Sequence, residues 1–492
     1  MSPIPTAVST IMTGVLVRYQ VTRHPSARPN FSMKKLLRIL SIGLLPLVLL
    51  SCSSKQNSTP EDRLKWNQKT LAGDYDLYGQ KDSRWDDQVK ESLADYAKIR
   101  SGSDFDQETR LYLIGTAAGN AVGTGCQDPL VQFLYCTFGL TDSGKSLAEK
   151  QELYRKMGRA MENSSYSPLR KFYASLGAAT TLWEQRDNTN WPDVRQFRAN
   201  SVSELNAAFQ DRTLPVEELY HASHALFQTM LHNQHELTNA YNTIEAPLFQ
   251  NWPKAGAAWL IKADFYEEYA WMARGHGTAS QVSDQQWELF HSRQAVAEQA
   301  LKQAWALNPQ EPLIPTLMLS VVAGQEKKRP EMETWFDRAM NLDTNNYAAA
   351  RAKLNYLLPE WYGSVEDALA FGRECVSSTK WGGHVPLILV DVHIDLARSV
   401  TDAAEHRAYW RAPGVWTDIQ SAYEKFAKLN PNETRFRYPY AAYALKCGQV
   451  DDFLQQIQLL KDSGTEFNYR YFGGKETLEQ LMQTLKPAAG GK

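Results

Sequence analysis

The sequence predicts an all-α protein: a run of helical hairpins preceded by a further α-helical region. Three observations carry this. Apolar residues recur at three- and four-residue spacing from Trp259 onward, interrupted every dozen or so residues by Gly, Pro or Asn. The alternation of apolar and polar residues that marks strands is nearly absent. The chain has 492 residues, 43% apolar and 22% charged, which is ample for a buried core and excludes wholesale disorder.

Residues 1–51 read as a signal region. Met33-Lys-Lys begins a basic stretch, Ile39–Leu50 is mostly apolar, and Leu49-Leu50-Ser51-Cys52 closes it. The apolar run of twelve residues is too short to span a bilayer as a stable helix and has the length of a secretion signal. Arg18, Arg23 and Arg28 upstream would make an unusually long basic region, so Met33 is the expected start. The last four residues resemble the lipobox of bacterial lipoproteins. That resemblance implies cleavage between Ser51 and Cys52, a diacylglycerol on the Cys52 thiol and acylation of the new amine, which together suffice for stable anchoring. Ser53 is not the aspartate that retains similar lipoproteins in the inner membrane, so the implied address is the outer membrane, facing the periplasm, in an organism with two membranes.

Cleavage would leave 47 bases against 55 acids, net −8, in place of the −2 of the whole chain. Neither balance has the basic footprint of a nucleic-acid binder, and no nucleic-acid partner is expected. Residues 52–61 have the composition of a lipidated tether. Residues 62–253 are expected to form an N-terminal helical domain, with Asp128-Pro129 and Ser167-Pro168 placing proline at the first position of two helices. Gly115, Gly119 and Gly123 would give one helix a smooth face.

Residues 254–462 carry the hairpins, and residues 463–492 a last helix and a flexible tail. Five hairpins are expected between Ala257 and Leu460. Ala297, Leu301, Ala304 and Pro309 sit in a phrase that returns as Trp335-Phe336 to Leu342-Asp343, and Asn308 to Asp343 is 35 residues. A third version runs from Tyr423 through Phe426 and Leu429 to Asn430-Pro431. This is similar to the second helix and closing proline of tetratricopeptide (TPR) repeats, whose small residues let paired helices approach closely. The resemblance implies a TPR-like α-solenoid. Trp361–Ser364 and Lys380–His384 form longer loops than that pattern has, so regular geometry is not expected beyond Leu358. Tyr269–Gly277, Gln286–Phe290, Leu357–Ser364 and Gly125–Val131 also resemble a bacterial family of unknown function with a TPR-like core. That resemblance implies no activity.

Several motifs bear on chemistry. Gly139, Gly144, Lys145 and Ser146 complete the spacing of a phosphate-binding loop. Asp128-Pro129 begins a helix where such a loop needs a strand, and Leu387–Asp391, which mimics the accompanying strand, lies in a helical hairpin. The match is read as chance. His221, His224, His232 and His235 fall within fifteen residues of one predicted helix, on the face shared by Glu217 and Gln228. Imidazoles at that spacing, with Glu217 one turn earlier, form a candidate zinc or copper site. Arg274 and His276 beside Gly275 are read as a helix C-cap and not an anion site. Ser283 and Gln286 form a capping box. Cys126 and Cys136 could be bridged only if the loop between them folds back, and no Cys-x-x-Cys is present. No catalytic set is complete.

The expected function is therefore a membrane-anchored, non-catalytic scaffold that holds a protein or extended peptide on helical repeats. The alternative is a periplasmic metal-binding protein or metal-dependent hydrolase at the histidine stripe. No cofactor is required by the first reading, and zinc by the second.

Overall fold

A computed structural model describes residues 57–101, 107–140, 143–184, 190–275, 277, 279–326, 328–463 and 467–485. Cys52 and Ser51, His276 and the expected C-terminal tail lie outside them. The described residues are all-helical, with no strand. None of their helices is long and apolar enough to cross a membrane.

The helices form two compact units. The first takes the residues up to Asp86 together with Thr124–Pro309. It contains α1 (Pro60–Tyr78), α4 (Pro129–Leu134), α5 (Leu147–Glu162), α6 (Pro168–Glu184), α7 (Trp191–Ala208), α8 (Val216–Met230), α9 (Gln234–Asn251), α10 (Gly256–Arg274) and α11 (Asp284–Leu307). The second takes Asp87–Gly123 and Gln310 onward. Its helices are α2 (Asp86–Ser101, entering from the first unit), α3 (Gln107–Gly123), α12 (Leu313–Gly324), α13 (Arg329–Leu342), α14 (Tyr347–Leu357), α15 (Val365–Ser377), α16 (Ile388–Ser399), α17 (Ala403–Trp410), α18 (Val415–Leu429), α19 (Arg437–Lys446), α20 (Val450–Asp462) and α21 (Lys475–Leu485).

The boundary expected at 253/254 is thus displaced. That position falls between α9 and α10, and α10 packs on both α8 and α9. Residues 87–123 group with the C-terminal half, so the N-terminal region is not one domain. Helix α1 begins at Pro60, inside the range 52–61 expected as a tether, behind a capping box in which Thr59 and Asp62 satisfy each other's backbone N–H groups.

Local signals set many helix ends. Asp128 accepts the N–H groups of Leu130 and Val131 ahead of Pro129, and Ser283 and Gln286 form the expected reciprocal cap. Gly275, at φ +71°, closes α10 in a conformation that L side chains avoid. Gly123, by contrast, is exposed with open space beside it, so the expected glycine face does not serve close packing at that end of α3.

In the second unit α12 packs on α13, α14 on α15, α16 on α18 and α19 on α20, while α12 also meets α14 and α14 meets α16. First helices of successive hairpins therefore touch each other as well as their own partners, as in a helical repeat. The two long loops do not break this order. Trp381 packs its ring on Phe336 and Phe371, and the Tyr362 hydroxyl donates to the Ala323 carbonyl at 2.7 Å. The irregular insertion comes later, at the short helix α17. Leu389, Ile419, Ala422 and Phe426 are fully buried in the core around it. Burying a side chain such as Phe426 contributes about 2–3 kcal/mol.

Candidate functional site

The histidine stripe does not survive folding. Helix α8 ends at Met230, and Asn233 caps a new helix by accepting the N–H groups of His235 and Glu236. His221 and His224 stay on α8, His232 lies in the turn and His235 is exposed in the first turn of α9. A capping residue three positions before Glu236 was the legible signal for this break.

Each half has its own surroundings. His224 presents Nδ1 to both Asp264 carboxylate oxygens of α10, at 3.0 and 2.9 Å, and Tyr220 stacks on its ring. His232 places Nε2 3.1 Å from Nη1 of Arg198, which also reaches Glu236 at 3.2 Å. A nitrogen facing a guanidinium must accept, which suits a neutral imidazole and opposes a cation beside Arg198. Trp183 lies against the same imidazole, ring centroids 4.7 Å apart. Among the described residues no group of three or more His, Cys, Asp or Glu is arranged to hold a metal ion.

Glu217 has a different role from the expected ligand. It is buried, and its Oε1 accepts the Ser58 backbone N–H at 3.0 Å while Oε2 accepts the Ser58 hydroxyl. Asn57 reaches the same end of the unit. Its amide donates to the Leu307 carbonyl at 3.0 Å, and its carbonyl oxygen accepts the Gly256 N–H at 2.9 Å. Gly256 is needed there, since a Cβ would stand 2.6 Å from Cβ of Asn308. Behind this latch lies a carboxylate-rich seam. Glu218 accepts from the Asn67 side chain of α1 at 2.8 Å, Glu267 accepts from Nε1 of Trp271 at 2.5 Å, and Gln228 donates to Glu268. Burial, with Glu267 and Asp264 alongside, pushes the Glu268 carboxyl well above its ordinary range.

The feature that sequence reading missed is a ridge on α10. Trp259, Lys262, Tyr266 and Tyr269 follow each other at three- and four-residue spacing and are all half-buried. Phe249 of α9 meets Trp259 edge-on at 4.9 Å, and Nζ of Lys262 pairs with Glu245 at 3.1 Å while lying 5.5 Å from the Phe249 ring and 5.8 Å from that of Tyr266. Beneath the ridge, Tyr241 and Phe265 stack at 3.9 Å and fix its base. The residue types were visible in the sequence. Which aromatics stay partly open depends on how α9 crosses α10, which no local pattern encodes.

The remaining motifs are accounted for locally. Gly139 ends a π-helical turn that continues α4, and the Ser146 hydroxyl caps α5 through Glu149, so helix precedes and follows a loop that would require a strand before it. Gly144, at φ +73°, makes the turn into that cap, and Lys145 follows it. Leu387–Asp391 enters α16, where Asp391 accepts from the Tyr347 hydroxyl. Arg274 donates to the Gly275 and Gly277 carbonyls at 3.2 and 2.9 Å, consistent with a cap. Cys126, Cys136, Cys375 and Cys447 are free and buried. Burial pushes the Cys126 thiol up to about 11 and the Cys136 thiol to about 12, far from the reactive range.

No family model matches the chain, and comparison with characterised proteins finds no match.

Proposed function

We propose that the protein is a lipoprotein, anchored through Cys52 to the periplasmic face of a bacterial outer membrane, that holds a partner protein or extended peptide on its helical hairpins without chemistry of its own. The observation that carries the binding reading is the α10 ridge. Trp259 and Tyr266 offer half-buried aromatic surface on α10, while the Tyr269 ring is covered by the Arg293 guanidinium at 3.2 Å and stacked by Phe265, and Lys262 and Glu245 offer a charged pair beside them. Aromatic surface held by packing beneath it loses little entropy on binding, and such residues dominate interface energetics. The anchor reading is supported by the basic, apolar and Leu-Leu-Ser-Cys sequence of residues 33–52.

The test is a crosslinked capture from native membranes with a C-terminal tag, comparing the wild-type chain, Cys52→Ala, and the pair Lys262→Glu with Tyr266→Ala. One envelope protein in stoichiometric amount is expected. It should be lost with the anchor and weakened by the ridge variant, by roughly 30-fold if Tyr266 has the weight of a typical hot spot. Capture unaffected by the ridge variant, with helicity unchanged, would refute the ridge as the binding surface.

A further inference from the structure

Gln294 of α11 is fully buried, and among the described residues neither the nitrogen nor the oxygen of its carboxamide has a hydrogen-bond partner. A carboxamide unpaired at both ends is costly away from water, so it points to a partner that it is shaped to meet. The packing of α11 on α10 fixes where it projects. Trp271 meets Phe290 with ring centroids 4.7 Å apart, and the Tyr269 carbonyl accepts from Nη1 of Arg293 at 2.6 Å, which sets Gln294 level with Glu267 and Glu268. The Arg293 guanidinium lies over the Tyr269 ring on one side of that contact. Consecutive side chains on a helix diverge by about 100°, so Gln294 projects on the other side, which Asp264 shares, about 140° round α10 from Tyr269.

That side gathers negative charge. Asp264 and Glu267 are buried and Glu268 is half-buried, so the seam is approached from the surface at Glu268. The donors that meet these carboxylates are His224 on Asp264, the Trp271 indole on Glu267 and the Gln228 amide on Glu268. Among the described residues no lysine or arginine pairs with Asp264 or Glu268. Arg293 is turned to Tyr269, and Lys302, farther along α11, is engaged by Glu298 at 2.6 Å. The raised Glu268 carboxyl, with burial as its main cause and Glu267 and Asp264 adding to it, agrees with carboxylates that lack a counter-cation. An ammonium carries three diverging donors and no acceptor, which suits acceptors spread over two helices better than the planar fork of a guanidinium.

We propose that the seam on α10 between α8 and α11 takes an alkylammonium group, from a lysine side chain or a free amine, with Glu268 and Asp264 supplying the opposite charge and the Gln294 carbonyl oxygen a neutral acceptor. This site is separate from the ridge, because Trp259, Lys262 and Tyr266 lie on the opposite side of α10 from Asp264.

The experiment is calorimetric titration of the full chain with n-butylamine, with a blocked pentapeptide of four alanines around a central lysine, and with the same peptide carrying Nε-acetyllysine. At least one of the two amines should bind, the tighter identifying the source, and the acetylated peptide should bind at least about 10-fold more weakly than the lysine peptide or butylamine. Glu268→Gln should weaken amine binding by about 10-fold or more. Gln294→Met, which removes both unpaired groups at nearly constant length, should also weaken it, yet unfold in urea no earlier than wild type. The pair Lys262→Glu with Tyr266→Ala should leave amine binding unchanged, so failure of the ridge and failure of this site are read separately. No heat from either amine, equal affinity for the acetylated peptide, or unchanged affinity in both seam variants with helicity intact overturns the proposal. Loss of amine binding in the ridge pair alone would place the amine at the ridge and overturns it as well.

Discussion

Gly73 and Gly158 both sit inside helices of the first unit, and the same substitution should move stability in opposite directions at the two positions. A Cβ at Gly73 of α1 meets nothing within 4 Å. Alanine there removes the conformational freedom of an unfolded glycine and should stabilise by about 0.5–1 kcal/mol. At Gly158 of α5 a Cβ would stand 2.7 and 2.9 Å from the Phe197 ring of α7 and 3.1 Å from Cβ of Ala178 on α6. Carbon atoms rest at about 3.5–4.0 Å, so the ring must retreat by about 1 Å. It has nowhere to go, since Phe197 is only 2% exposed. Overpacking of this kind costs about 1–3 kcal/mol, against a propensity gain of about 1 kcal/mol. The expected net loss for Gly158→Ala is up to about 2 kcal/mol, and for Gly158→Val more. Urea unfolding followed by circular dichroism should separate Gly73→Ala from Gly158→Ala by about 0.5–3 kcal/mol, Gly73→Ala being the more stable. Shifts of the same sign would show that helix propensity, and not the approach of three helices, governs Gly158.

Burial pushes the Glu204 carboxyl of α7 up to about 7, with Glu162 adding to the shift and Ser175 and Lys171 opposing it. Its folded value lies above its unfolded one, so its stabilising contribution is full below about pH 4.5 and is lost as pH rises through about 7. Glu204→Gln should therefore be more stable than wild type at about pH 8, by on the order of 2–3 kcal/mol, and no more stable at about pH 4; an unchanged pH slope in urea unfolding would refute the assignment. The four buried thiols, with Cys447 also pushed up to about 11, should react slowly with a thiol reagent in the native protein. After denaturation four of the five cysteines should titrate if Cys52 carries lipid, and all five if it does not. Because the histidines divide between α8 and the α9 side of the turn, calorimetric titration should find no zinc site tighter than micromolar, whereas a nanomolar site abolished by His221→Ala would contradict the observed separation.

What the sequence determined by itself was local. Helical periodicity, the caps at Asp128, Gly275 and Ser283, and the recurrence of hairpins from Ala297 to Pro431 each depend on residues within a few turns of one another, and they stand in the structure as read. The same locality explains one error. The four histidines share a helical face only if the helix continues, and the Asn233 cap, satisfying two N–H groups, ends it. Tertiary structure decided the rest. Glu217 holds Ser58 across 159 residues, Asn57 meets Leu307 across 250, and residues 87–123 group with a body that begins at Gln310. Contacts at such separations follow from which helix faces exclude water together, and that selection is made by the folded whole. The α10 ridge is of the same kind: its residues are written in sequence, and their half-exposure is fixed by the crossing of α9.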